Sequence, residues 1–228
     1  MAGFLESFAK SASARRNPKE ASSRLVDISA RSWKIVEGPG SDESQCAREP
    51  VTVGIESSNV ALIVIDAWES HPNEGWCTRL NENMPKLVTL IEVFRNAGRP
   101  IIYDSTGFTI HSSIRECWSN YDHHIEWDPK GGGTEVVDKM LREWGIDSVF
   151  WAGYSTNLCL MSKPAGFRKV RSLDWGRKMF LVRDATIALE AADTLETQAL
   201  WDAACYEVEY DPNGFSCTVA QVRAALSN

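Results

Sequence analysis

The feature that most constrains this chain is a strand-sized apolar run, Asn59 to Ile65 (NVALIVI), that ends abruptly on a carboxylate, Asp66. A run this short and this uniformly apolar reads as a strand buried on both faces. Similar runs follow at Pro100 to Tyr103, Val149 to Ala152 and Met179 to Val182. Helical patterns separate them, at Met84 to Ala97 before Gly98, at Thr134 to Trp144 before Gly145, and at Asp193 to Cys205. Glu207 to Tyr210 is expected as a last strand and Thr218 to Leu226 as a last helix. Apolar strands alternating with helices predict an α/β domain whose parallel sheet is covered on both faces. Ligands of such sheets bind at the carboxyl ends of the strands. That rule selects Asp66, Asp104 and the segment Gly153 to Cys159 for scrutiny. Residues 104 to 133 form a long irregular stretch, expected to be functional or to hide further elements.

Composition removes several function classes. The 228 residues suit one α/β domain. A net charge of -7 argues against a nucleic-acid binder. No apolar run reaches the roughly 18 to 20 residues a membrane helix needs. The six cysteines form no Cys-x-x-Cys pair and are too sparse for a disulfide scaffold. No apolar h-region follows the N-terminus. Together these point to a cytoplasmic protein. Residues 1 to 50, rich in Ser, Ala, Arg and Lys, are expected to be an N-terminal arm that is flexible or contacts another subunit. The catalytic-type domain is expected over 51 to 228.

Cys159 stands at the strand-to-helix turn Gly153-Tyr154-Ser155-Thr156-Asn157-Leu158-Cys159. A thiol in the first turn of a helix faces the positive dipole end, which is expected to lower its pKa. The spare N–H groups of such a turn can also hold an oxyanion. The competing reading is a buried structural cysteine. Asp66, directly after six apolar residues, reads as a general base with a pKa raised by its setting, or alternatively as a turn or N-cap residue. Trp68, two residues on, is the candidate pocket wall. His124, Trp127 and Tyr154 are further candidate substrate-binding side chains. No metal site is expected. His123 and His124 are adjacent, so a regular strand cannot aim both at one ion.

The segments NVALIVID (59–66), RNAGRPIIY (95–103), Gly133-Thr134, WAGYSTNLCL (151–160) and Arg183-Asp184-Ala185 resemble the isochorismatase-like cysteine hydrolases. That family includes nicotinamidases, carbamoylsarcosine amidase-like enzymes and ureidoacrylate amidohydrolases. The resemblance implies a three-layer α/β/α sandwich with a mainly parallel six-stranded sheet. It implies Asp66 as the catalytic aspartate and Cys159 as the nucleophile. It implies a cis peptide at Tyr154–Ser155 that turns the Ser155 N–H toward the oxyanion. It also implies homo-oligomers, dimers or tetramers, acting on a small molecule without a cofactor.

Two departures accompany the resemblance. The family carries a catalytic lysine on the strand before the Gly-Thr. The corresponding stretch here, DHHIEWDPK (122–130), has no lysine near His123 to Glu126. Lys130 is therefore the candidate third member, with Arg115, His123 and His124 as alternative cations. Secondly, Pro164-Ala165-Gly166 interrupts the helix that follows Cys159. The expected function is cleavage of a C–N bond in a small amide, ureido or carbamoyl compound through a thioester. The competing readings are a non-catalytic binding or assembly protein, favoured by the missing lysine and by the N-terminal arm, and an isochorismatase-type hydrolase.

Overall fold

The computed structural model describes residues 23–105, 109–116, 118–125, 133–174 and 176–227. Its elements, in chain order, are β1 (Leu25–Lys34), β2 (Ala47–Glu56), β3 (Val60–Ile65), α1 (Glu74–Asn96), β4 (Ile101–Asp104), α2 (Ser112–Arg115), β5 (Asp122–His124), α3 (Gly133–Glu143), β6 (Ser148–Tyr154), α4 (Cys159–Ser162), α5 (Phe167–Leu173), β7 (Lys178–Ile187), α6 (Ala199–Tyr210), β8 (Gly214–Cys217) and α7 (Val219–Leu226). They build one eight-stranded sheet in the order β2-β1-β8-β7-β6-β3-β4-β5.

The six strands from β8 to β5 are mutually parallel. They are the six-stranded sheet expected. The other two come from residues 25 to 56, where β1 and β2 pair antiparallel and β1 meets β8 at Arg31 and Ser216. The expected boundary at residue 50 falls inside β2. The signal was present: Val26, Ile28 and Ala30 alternate with polar residues, as do Val51, Val53 and Ile55, the pattern of a sheet with one wet face. Ionic contacts clamp this hairpin to the domain. Glu209, on α6, has a fully buried carboxylate. It accepts from Arg31 Nε at 2.7 Å, pairs with Arg48 Nε at 3.0 Å and accepts from Ser216 Oγ at 2.5 Å.

β3 shows why the sheet needs helices on both sides. All six of its residues are wholly buried. Val60, Leu62 and Val64 join one core cluster with Leu87, Ile91 and Phe94 of α1 and Val222 of α7. Ala61, Ile63 and Ile65 join another with Val137 and Leu141 of α3, Val170 of α5 and Val208 of α6. The period-two alternation of a strand thus sends successive side chains into separate layers.

Several expected elements differ: the helix expected from Met84 begins at Glu74, and the one expected from Asp193 begins at Ala199. Glu207 to Tyr210 continues α6 instead of forming a strand, and the last strand is β8. The apolar pair Val208 and Tyr210 fits a strand's alternation locally, but Val208 packs with Ala204 and Cys205 at helical spacing. The irregular stretch after Asp104 contains α2 and the edge strand β5, which are too short to announce themselves by periodicity.

Candidate active site

The carboxyl ends of β3, β4 and β6 meet at one point. Ile65 pairs in register with Gly153 on one side and with Asp104 on the other. Approach there is closer than a side chain permits. A Cβ at Gly153 would stand 2.0 Å from the Ile65 carbonyl oxygen, and its φ of +111° suits glycine. Just beyond, Asp66 and Ser155 both take left-handed conformations, with φ of 52° and 55°. Such conformations are uncommon outside glycine and cluster at sites that hold strain for function. The Asp66 N–H donates to the Asp104 carbonyl at 3.1 Å, which ties the two strand ends together.

Asp66 has no solvent exposure. Its carboxylate is in direct ionic contact with the ammonium of Lys163, whose side chain is 14% exposed. The Cys159 thiol and the Trp68 indole face the same carboxylate, and both favour its ionised form. Burial outweighs these influences and holds the Asp66 carboxyl above the usual carboxylate range, with Lys163 the strongest opposing effect. A second buried acid, Asp104, lies with its Oδ1 3.9 Å from Lys163 Nζ.

The Cys159 thiol is pushed up to about 11, first by burial and then by the Asp66 charge, with Lys163 opposing. This reverses the expected helix-dipole effect. The helix that begins at Cys159 is four residues long. One turn supplies little dipole, so desolvation wins. At neutral pH the Cys159 group is a neutral thiol, and it lies against the Asp66 carboxyl.

The lysine that meets Asp66 is Lys163, which lies outside the 122–130 stretch. Its place four residues after Cys159 puts it one turn on from the thiol, but nothing in that spacing connects it to Asp66, 97 residues away. The proline that follows explains the conformation. A residue before proline is driven out of the helical region, and Lys163 takes φ -63°, ψ 165° as the C-cap of α4. The helix stops, Gly166 starts α5, and the lysine side chain reaches Asp66. The break in the helix after Cys159 is what brings the Lys163 ammonium to Asp66.

The other candidates separate clearly. Lys130 and Trp127 lie outside the described residues. Trp68 is buried against Asp66 and stacks on His71 with centroids 4.7 Å apart. Tyr154 belongs to the α1-side core instead of a pocket. It is 1% exposed and donates its hydroxyl to Leu80 O at 3.1 Å, because its place on β6 points it to the face opposite Cys159. His124 stands half-buried on the outermost strand β5, two strands from β3. His123 lies on the Trp144 ring at 4.7 Å, and Arg115 pairs with exposed Glu69 at 3.5 Å. Ser155 is wholly buried. Among the described residues every peptide bond is trans, including Tyr154–Ser155, so the turn is made by the positive φ values at Gly153 and Ser155 instead of a cis bond. In this turn Thr156 N–H donates to Ile187 O, and the Leu158 and Leu160 N–H groups share Ser155 O. The Ser155 and Cys159 amides donate to no group among the described residues.

No protein-family model and no curated protein sequence matches the chain. Solved structures do. A cysteine hydrolase from Pseudomonas syringae pv. phaseolicola superposes with a TM-score of 0.56 at 15% identity, over 76% of this chain and 94% of that one. A nicotinamidase from Staphylococcus aureus gives 0.55 at 16% identity, over 70% and 98%. A ribonuclease from Caenorhabditis elegans gives 0.52 at 16% identity, over 75% and 83%. The chain has the isochorismatase-like fold. Proteins sharing this fold carry names for different chemistries, so the reaction must be argued from the site. Among the described residues no helix is long and apolar enough to cross a membrane, and no cluster of His, Cys, Asp and Glu has metal-binding form.

Proposed function

We propose that this chain is a cysteine hydrolase that cleaves a C–N bond in a small amide, ureido or carbamoyl compound. The observation that carries the reading is the Asp66 carboxylate, wholly buried, in contact with the Lys163 ammonium and facing the Cys159 thiol. Removing a carboxylate from water is expensive unless a cation accompanies it. Placing a thiol against the same carboxylate is unfavourable for packing alone and useful for proton transfer.

The steps follow from the groups present. Asp66 takes the thiol proton, and Lys163 stabilises the negative charge that the pair retains. The thiolate attacks the carbonyl carbon, and the carbonyl electrons move to oxygen. The spare N–H groups of Ser155 and Cys159 are the donors for that oxyanion. Collapse breaks the C–N bond, and the leaving nitrogen takes the proton from Asp66. A water then attacks the thioester. Asp66 accepts its proton, the acid is released, and the thiol is restored. Trp68 forms the wall beside the reacting atoms.

The non-catalytic alternative was favoured by the missing lysine and by the N-terminal arm; the Lys163 ammonium beside Asp66 speaks against the first of these. Homo-oligomeric assembly remains an expectation drawn from the resemblance. The test is a panel of small amides, ureides and carbamoyl compounds with intact-mass detection of an acyl adduct. An adduct on Cys159, with turnover abolished in Cys159→Ala, is the expected result. Full turnover in Cys159→Ala refutes the mechanism.

A further inference from the structure

The turn that presents Lys163 is held from both sides by residues remote in sequence. Within it, the Lys163 N–H donates to Cys159 O at 2.9 Å and the Gly166 N–H to Lys163 O at 2.8 Å. Pro164 has no N–H. That leaves Ala165, and both of its backbone groups leave the turn. Its N–H donates to Asp104 Oδ2 at 3.1 Å, and its carbonyl accepts from Trp151 Nε1 at 2.8 Å. Asp104 is 2% exposed and Trp151 is wholly buried, so neither partner exchanges readily with water. The turn is too tight to adjust on its own: a Cβ at Gly166 would lie 2.8 Å from Leu160 O and 2.9 Å from the Lys163 backbone.

Asp104 also touches the other half of the site. Its carbonyl accepts the Asp66 N–H, and its Oδ1 stands 3.9 Å from the Lys163 ammonium. One residue at the end of β4 thus holds the backbone of the base and the turn of the cation. A carboxylate buried for packing alone is costly, and a helix C-terminus or water usually serves a turn amide at less cost.

We infer that Asp104 is a positioning residue: it seats the Lys163–Gly166 turn and so aims the Lys163 ammonium at Asp66 and Cys159. The inference rests on the cysteine-hydrolase reading. Asp104 acts here through Lys163, and that makes the sign of its removal informative. Losing a negative charge near a thiol by itself eases thiolate formation. Losing the cation that supports the thiolate hinders it.

The experiment measures iodoacetamide alkylation of Cys159 in the full chain, by peptide mass spectrometry, across pH. Asp104→Ala is expected to slow the reaction at neutral pH by on the order of tenfold, the equivalent of one pKa unit. Asp104→Asn keeps an oxygen for the Ala165 amide and is expected to stay within about threefold of the parent, because its acceptor replaces the one lost. In a Lys163→Met background, Asp104→Ala is expected to slow the reaction no further. Faster alkylation in Asp104→Ala, or in Asp104→Asn by more than about threefold, overturns the inference, since Asp104 then acts as a charge on the thiol. A slowing by Asp104→Ala that persists undiminished in the Lys163→Met background also overturns it. The Asp104→Asn comparison decides the matter if Asp104→Ala does not fold. Lys163→Met without effect removes the role of the lysine and this inference with it, whereas the hydrolase reading fails separately, by full turnover in Cys159→Ala. Lys163→Met slowing with Asp104→Ala silent removes only the inference.

Discussion

Lys163→Met removes the cation and keeps a side chain of similar length. The residue it leaves behind is Asp66, which has no exposure to water and whose carboxyl is already raised by burial. Unit charges about 4 Å apart interact by ~4 kcal/mol at an effective dielectric near 20, equivalent to about a thousandfold in an equilibrium. Asp66 and Cys159 share one carboxylate–thiol contact and titrate as a pair, so the loss falls on every proton the pair gives up. The Cys159 thiol, already pushed up to about 11 with Lys163 opposing, moves further from ionisation. Water entering the vacated position offsets part of the loss. The expected result is a fall of about 100-fold or more in the alkylation rate of Cys159 at pH 7. The pH at which the rate rises also moves upward, and Lys163→Arg, which keeps the charge, is affected less. Far-UV circular dichroism checks that the fold persists. A Lys163→Met protein whose Cys159 reacts within about threefold of the parent at every pH refutes the proposed role of the lysine.

Other consequences can be measured without a substrate. Gly153→Ala places a Cβ 2.0 Å from the Ile65 carbonyl at a φ of +111°, so it is expected to cost at least about 3 kcal/mol in urea unfolding or to prevent folding; a loss under about 1 kcal/mol contradicts the close approach of β3 and β6. Cys205, wholly buried, has its thiol pushed up to about 12 from 9.0, mainly by burial. The folded state therefore keeps this proton after the unfolded chain has lost it. Stability is full below about pH 9 and falls as pH rises toward 12, by about 1.4 kcal/mol per pH unit for this thiol. Urea midpoints from pH 8 to 10.5 are expected to fall less steeply in Cys205→Ala, and identical slopes contradict the assignment.

Much of this molecule was legible in its residues because the relevant physics is local. The apolar run before Asp66, the glycines that stop helices and the alternation of strand with helix specify a parallel sheet covered on both faces. They also place Asp66 and Asp104 at strand ends and Cys159 on the turn that follows another. The hairpin of residues 25 to 56 was harder to see, since its half-wet strands carry weak alternation inside a polar segment. The helix at Ala199–Tyr210 was misread at its end because four residues fit a strand as well as a helix until packing decides.

The charge partner of Asp66 belongs to the tertiary structure alone. Lys163 and Asp66 are 97 residues apart, and Ala165 and Asp104 are 61 apart. No spacing rule connects such pairs; the parallel order of β4, β3 and β6 brings them together. The same holds for the thiol. Its position in a first helical turn argued for a lowered pKa, but a one-turn helix contributes little and burial beside Asp66 raises it instead. By itself the sequence determined which residues end the strands. Only the folded sheet decided which of them lie together and how each is charged, because burial and charge depend on what lies across the sheet and not on what lies next along the chain.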